Sequence, residues 1–133
     1  MSTNSKRRNK ALLAMAAGAL AVQLLTTGAV MAADPVQARK DLKAMGVEYN
    51  EQEFAKVAGA GDMTAVNLFL DAGIDVNAGG GAALGLAAGR GQVKMVQHLL
   101  SKGAKPTSNS LQFARTRGHK DVEKILVDAG AKE

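Results

Sequence analysis

Residues 84–104 read LGLAAGRGQVKMVQHLLSKGA, and their spacing decides the fold. Met95, Val96, Leu99 and Leu100 fall at i, i+1, i+4 and i+5, which gives one apolar stripe on a helix. Gly103 stands where that helix must stop, a position suited to a left-handed residue. Upstream, Leu84-Gly85-Leu86-Ala87-Ala88 predicts a second short helix, closed in the same way by Gly91. The unit is helix, glycine, helix, glycine.

The same unit recurs on both sides. One glycine series runs Gly46, Gly73, Gly103 and Gly130, at spacings of 27, 30 and 27. A second runs Gly61, Gly91 and Gly118, and each member precedes its partner in the first series by 12 residues. Such phased series are the mark of an internal repeat. Between the glycines, Ala65, Val66, Phe69 and Leu70 form one stripe, and Val122, Ile125 and Leu126 form another. Phe54 to Ala58 and Leu111 to Ala114 supply the preceding short helices. Asn50 with Glu53, and Asn109 with Gln112, have the spacing of capping boxes. Asp34 before Pro35 predicts the start of an initial helix that ends at Gly46. The triplet Gly79-Gly80-Gly81 reads as a flexible loop, because no strand precedes it and no spaced Lys-Ser/Thr follows to make a phosphate loop.

This pattern resembles the ankyrin repeat. Residues 84–104 follow L-x-x-A-A-x-x-G-x-x-x-x-V-x-x-L-L-x-x-G-A, residues 73–77 match G-x-D-V-N, and Gly118-His119-Lys120-Asp121-Val122 resembles the G-H-x-E-I turn. The resemblance implies an all-α chain: an ankyrin-repeat solenoid of about three helix-turn-helix repeats with short inter-repeat loops and an N-terminal capping helix. Residues 33–50 would be that capping helix and its loop, and residues 51–133 the repeats, at about 51–78, 79–107 and 108–133. The family's T-P-L-H start is replaced by Ala82-Ala83-Leu84-Gly85 and its counterparts. The period of 27 or 30 falls short of the family's 33. Projecting hairpins should therefore be shortened or lost, notably between Lys105 and Asn109.

The N-terminus has a different character. Lys6, Arg7, Arg8 and Lys10 precede residues 11–33, which carry no charge. Val30 and Ala32 put small residues at the −3 and −1 positions of a cleavage site, with Ala33 as the alternative last residue, before a polar remainder. This is the layout of a secretory signal peptide over residues 1–32, cleaved after Ala32, which places the mature chain in the periplasm or outside the cell. Arg7-Arg8 leaves twin-arginine export open beside the general route, and an uncleaved anchor is the alternative. Gln23, Thr26, Thr27 and Gly28 interrupt the apolar run, so no stable membrane association is expected after cleavage.

Export also changes the meaning of the charge. The chain has 17 basic and 12 acidic residues, net +5. Without the four basic residues of the signal the balance is near neutral, so a nucleic-acid partner is not expected. Charge is uneven within the remainder: residues 34–77 carry 4 basic and 8 acidic side chains, and residues 78–133 carry 9 and 4. There is no cysteine, hence no disulfide, lipoprotein anchor or thiolate chemistry.

No catalytic, cofactor or metal site is expected. His98 aligns with Leu68 and Ile125 on a packed face, and His119 takes the turn position that the resemblance assigns to a structural histidine. Tyr49 aligns with Val76 and Pro106 and should pack at a loop base. What remains is a surface. Carried over from the resemblance, partner contacts fall on the concave side, at inner-helix ends and loop tips. The candidates are Arg90, Thr116, Arg117 and Lys105, with the basic members forming a stripe. The expected function is non-catalytic binding of another protein, with an acidic surface, by a monomer acting outside the cytoplasm. An inhibitor or immunity protein that blocks an exported toxin or enzyme is the alternative.

Overall fold

A computed structural model describes residues 34–132; the signal-peptide expectation, with its cleavage site after Ala32, lies outside them. The described residues are all-helical and contain no strand. Seven helices follow one another: α1 Pro35–Ala44, α2 Glu51–Gly59, α3 Met63–Asp71, α4 Ala78–Gly89, α5 Val93–Ser101, α6 Ser108–Thr116 and α7 Lys120–Asp128. No helix among them is long and apolar enough to cross a membrane.

Each helix stops where its glycine allows. After α1 the chain turns at Gly46 with φ +78°, and the Val47 amide donates back to the Leu42 carbonyl at 2.9 Å. The closure repeats at every helix end: Asp62 to Val57, Ile74 to Phe69, Gln92 to Ala87, Ala104 to Leu99, His119 to Ala114 and Ala131 to Leu126. This is the Schellman arrangement, which satisfies carbonyls that a helix end would leave unpaired. Starts are equally local. Asp34 accepts from the Val36 and Gln37 amides with Pro35 in the first turn, and Asn50 accepts from Glu53.

One expected cap lies elsewhere. α6 begins at Thr107, whose hydroxyl accepts from the Ser110 amide while the Ser110 hydroxyl accepts from the Thr107 amide. Asn109 is already inside the helix. The register is fixed by Ser110 and Leu111, both buried, so the cap must fall three residues before Ser110.

Gly79-Gly80-Gly81 is also not a loop. Its φ values are 67°, 70° and 84° with ψ near 25°, one turn of left-handed helix, and the Gly81 amide donates to the Asn77 carbonyl. Any residue with a Cβ would lose about 1–2 kcal/mol at each such position. The right-handed part of α4 starts after this turn.

Packing follows from the repeat. α2 and α3, α4 and α5, and α6 and α7 pair as hairpins joined by three-residue turns. α2 packs on α4 and α4 on α6, which makes an inner row; α1 packs on α3 and α5 on α7 in an outer row. The core between the rows holds Leu42, Phe54, Phe69, Leu84, Met95, Leu99, Leu111 and Leu126, all essentially inaccessible. The connection from α1 to the first hairpin and the two connections between hairpins are six residues each, and no projecting strand pair extends from them. Tyr49 lies at the base of the first connection as its alignment predicts. Its ring stacks on Phe69 at 5.6 Å under the Arg39 guanidinium at 4.2 Å, and its hydroxyl donates to the Ala72 carbonyl.

Candidate protein-binding surface

Neighbouring hairpins are tied by side chains that reach backwards. Gln92 Nε2 donates to the Gly59 carbonyl at 3.2 Å. His119, 27 residues on and in the same repeat position, donates from Nε2 to the Gly89 carbonyl at 3.1 Å. The side chain passes so close to the preceding turn that a Cβ on Gly61 would lie 2.8 Å from Gln92 Oε1, and one on Gly91 only 2.6 Å from His119 Nδ1. His98 makes a comparable tie in the outer row, donating from Nε2 to Asn67 Oδ1 at 2.6 Å. Asn77 joins two connections, donating to the Gly103 carbonyl and accepting from the Lys105 amide. Both histidines are half-buried and engaged in holding hairpins together. No group of three potential metal ligands occurs among the described residues.

The inner row packs through glycine. A Cβ on Gly59 would stand 3.1 Å from Leu86 Cβ; on Gly85 or Gly89 it would stand 3.4 Å from Phe113. Leu86 and Phe113 therefore each lie across the helix before them, at equivalent positions of successive repeats. They are not covered: Leu86 is 37% and Phe113 47% exposed. Arg90 and Arg117 sit one turn further along the same helices. The Arg90 stem runs over Gly59, with Cδ at 3.5 Å from where a Cβ would be, and Arg117 Nη1 donates weakly to the Gly89 carbonyl at 3.4 Å. Together with Gly85 and Gly89, these four side chains line a cleft of about 60 Å³.

The expected site residues thus separate. Arg90 and Arg117 come together on one cleft. Lys105 is exposed but does not line it. It precedes α6, whereas Arg117 follows that nine-residue helix, so about 13 Å of helix lies between them and the three cations form no single stripe. Thr116 is exposed at the end of α6, where it replaces the buried Gly59 and Gly89 of the earlier repeats. Leu86 and Phe113 were not among the expected contacts, although the alignment carries a signal. Their counterpart in the first repeat is Lys56, a residue that seldom points into a core.

Among the described residues, the Glu123 carboxyl is shifted. Glu123 accepts from Arg115 Nε and lies 3.7 Å from Lys120. The Arg115 hydrogen bond, aided by the charges of Lys120 and Arg115, holds its carboxyl below the usual glutamate range. That tie between α6 and α7 contributes fully above the ordinary carboxylate pKa and fades only as pH falls through the lowered value.

No family model, no curated protein and no solved structure matches this chain.

Proposed function

We propose that this chain is an exported, non-catalytic repeat protein of the ankyrin type that binds another protein through the inner-row face of α4 and α6. One observation carries the binding reading: Leu86 and Phe113, large apolar side chains, stand exposed side by side with Arg90 and Arg117 next to them. Aromatic, aliphatic and arginine side chains grouped around a cleft are the composition of an interface centre. The paired helices, the fixed glycine offsets and the short turns support the ankyrin reading, and the basic start followed by an uncharged run supports export.

Site-directed photocrosslinking tests it. A benzoylphenylalanine at Gln112, beside Phe113, is expected to trap a discrete heterologous protein in living cells, and the same residue at Lys124 on α7 is expected to trap none. Equal products from both positions, or none from Gln112, would refute the inner face as the binding surface. Intact mass of the isolated protein, expected to begin at Ala33, checks export separately.

A further inference from the structure

We infer that this face takes a short acidic stretch of its partner, with one apolar side chain seated against Leu86 and Phe113 and carboxylates held by Arg90 and Arg117; the inference rests on the protein-binding reading above. Charge is the first argument. α4 and α6 contain no Asp or Glu, and among the described residues no carboxylate lies within ion-pair distance of Arg90 or Arg117, whereas Arg115 is engaged by Glu123. Two guanidinium forks are thus presented at equivalent positions of adjacent repeats. A planar fork suits a carboxylate in two-point contact better than a point charge would.

Size is the second argument. Small-molecule sites occupy roughly 300–1,000 Å³, and the cleft is about 60 Å³. It can admit the tip of one side chain and little more. The Phe113 ring already lies against Gly85 and Gly89, so fewer of its orientations remain to be lost on binding.

The other anionic partners fit less well. A nucleic acid held by 6–10 phosphate contacts, or an anionic membrane recruited by a cluster of about 4–8 Lys/Arg, needs a wider basic field than two arginines flanking an apolar pair.

Selection of phage-displayed random peptides on the full-length chain tests this. Enriched sequences are expected to place Phe, Leu, Ile or Met within three residues of at least two Asp or Glu. For a synthetic copy of one, Arg90→Gln and Arg117→Gln should each weaken binding about 3- to 10-fold, Phe113→Ala at least as much, and Lys105→Gln less than twofold. Replacing its acids by amides should match the double arginine variant. Enrichment of neutral or basic peptides that still depend on Phe113 would overturn the acidic partner while leaving the protein-binding reading intact. No enrichment would overturn the inference, and so would acidic peptides indifferent to both arginines. If vesicles with about 30% anionic lipid, or a 20-nucleotide single strand, bound through Arg90 and Arg117 while no peptide did, both readings would fall.

Discussion

Gly91 and Gly118 occupy the same repeat position with nearly the same backbone, φ +68° and +75°, yet only Gly91 has a neighbour. His119 lies against it, while nothing approaches Gly118 within 4 Å of an added Cβ. The two therefore separate conformational strain from crowding. Gly118→Ala should cost about 1–2 kcal/mol, the price of a Cβ in a left-handed conformation. Gly91→Ala should cost about 1 kcal/mol more, because His119 must move and its bond to Gly89 is lost. In an His119→Ala background that excess should vanish. Urea unfolding of the four variants checks this, and an excess that survives removal of His119 would contradict it. Sequence spacing found both glycines, and the ankyrin resemblance implied a structural bond for His119. Neither could reveal the crowding, which depends on a side chain of the next hairpin.

At the scale of the element, the left-handed turn accounts for the uneven period. Asn50, Asn77 and Thr107 each stand four residues after a glycine of the first series, but the next glycine of the second series follows 11 residues after Asn50 and Thr107 and 14 after Asn77. The three extra residues are absorbed by Gly79-Gly80-Gly81, which make one turn of the opposite hand and return the chain to register. Deleting them would align Asn77-Ala78-Ala82-Ala83-Leu84 with Asn50 to Phe54. We expect the deletion variant to fold, with stability unchanged or raised by up to about 1–2 kcal/mol, since three flexible residues leave the unfolded chain and Asn77 becomes able to cap the helix. Loss of cooperative urea unfolding would show that the turn is required. Helix existence was legible throughout because apolar stripes and stop glycines agree. Helix starts were less so: Thr107, Ser108, Asn109 and Ser110 are all acceptable caps, and only the burial of Ser110 and Leu111 selects Thr107.

For the whole molecule, the stacking positions change character at both ends of the inner row. Leu86 and Phe113, which lie on a preceding helix, correspond to Lys56 in the first hairpin; Gly85 and Gly89, which receive a following helix, correspond to Gln112 and Thr116 in the last. Polar residues thus close the row at each end, and Thr116 belongs to that closure. The outer row extends one helix further, and α1 covers the first hairpin through Leu42, wholly buried in the core. Leu42→Ala should cost about 2–4 kcal/mol, a large part of the stability of a domain this size. A loss under about 1 kcal/mol would show that α1 lies outside the cooperative unit. The arginines of the candidate surface were reached through the resemblance, which places partner contacts at inner-helix ends. The apolar half of that surface was not, because a helical stripe does not say which of its members the next helix leaves uncovered.

The ties at the inner-row turns all point one way. Gln92, Arg117 and His119 are donors on later hairpins, and their acceptors, Gly59 and Gly89, lie on earlier ones. A chain delivered N-terminus first, as from a ribosome, always has the receiving carbonyl in place before the hairpin that needs it is made. At these turns the earlier hairpin thus offers its carbonyl first and the later one brings the donor, whereas Tyr49 and Asn77, which donate forward to Ala72 and Gly103, complete their ties only when the later residues arrive.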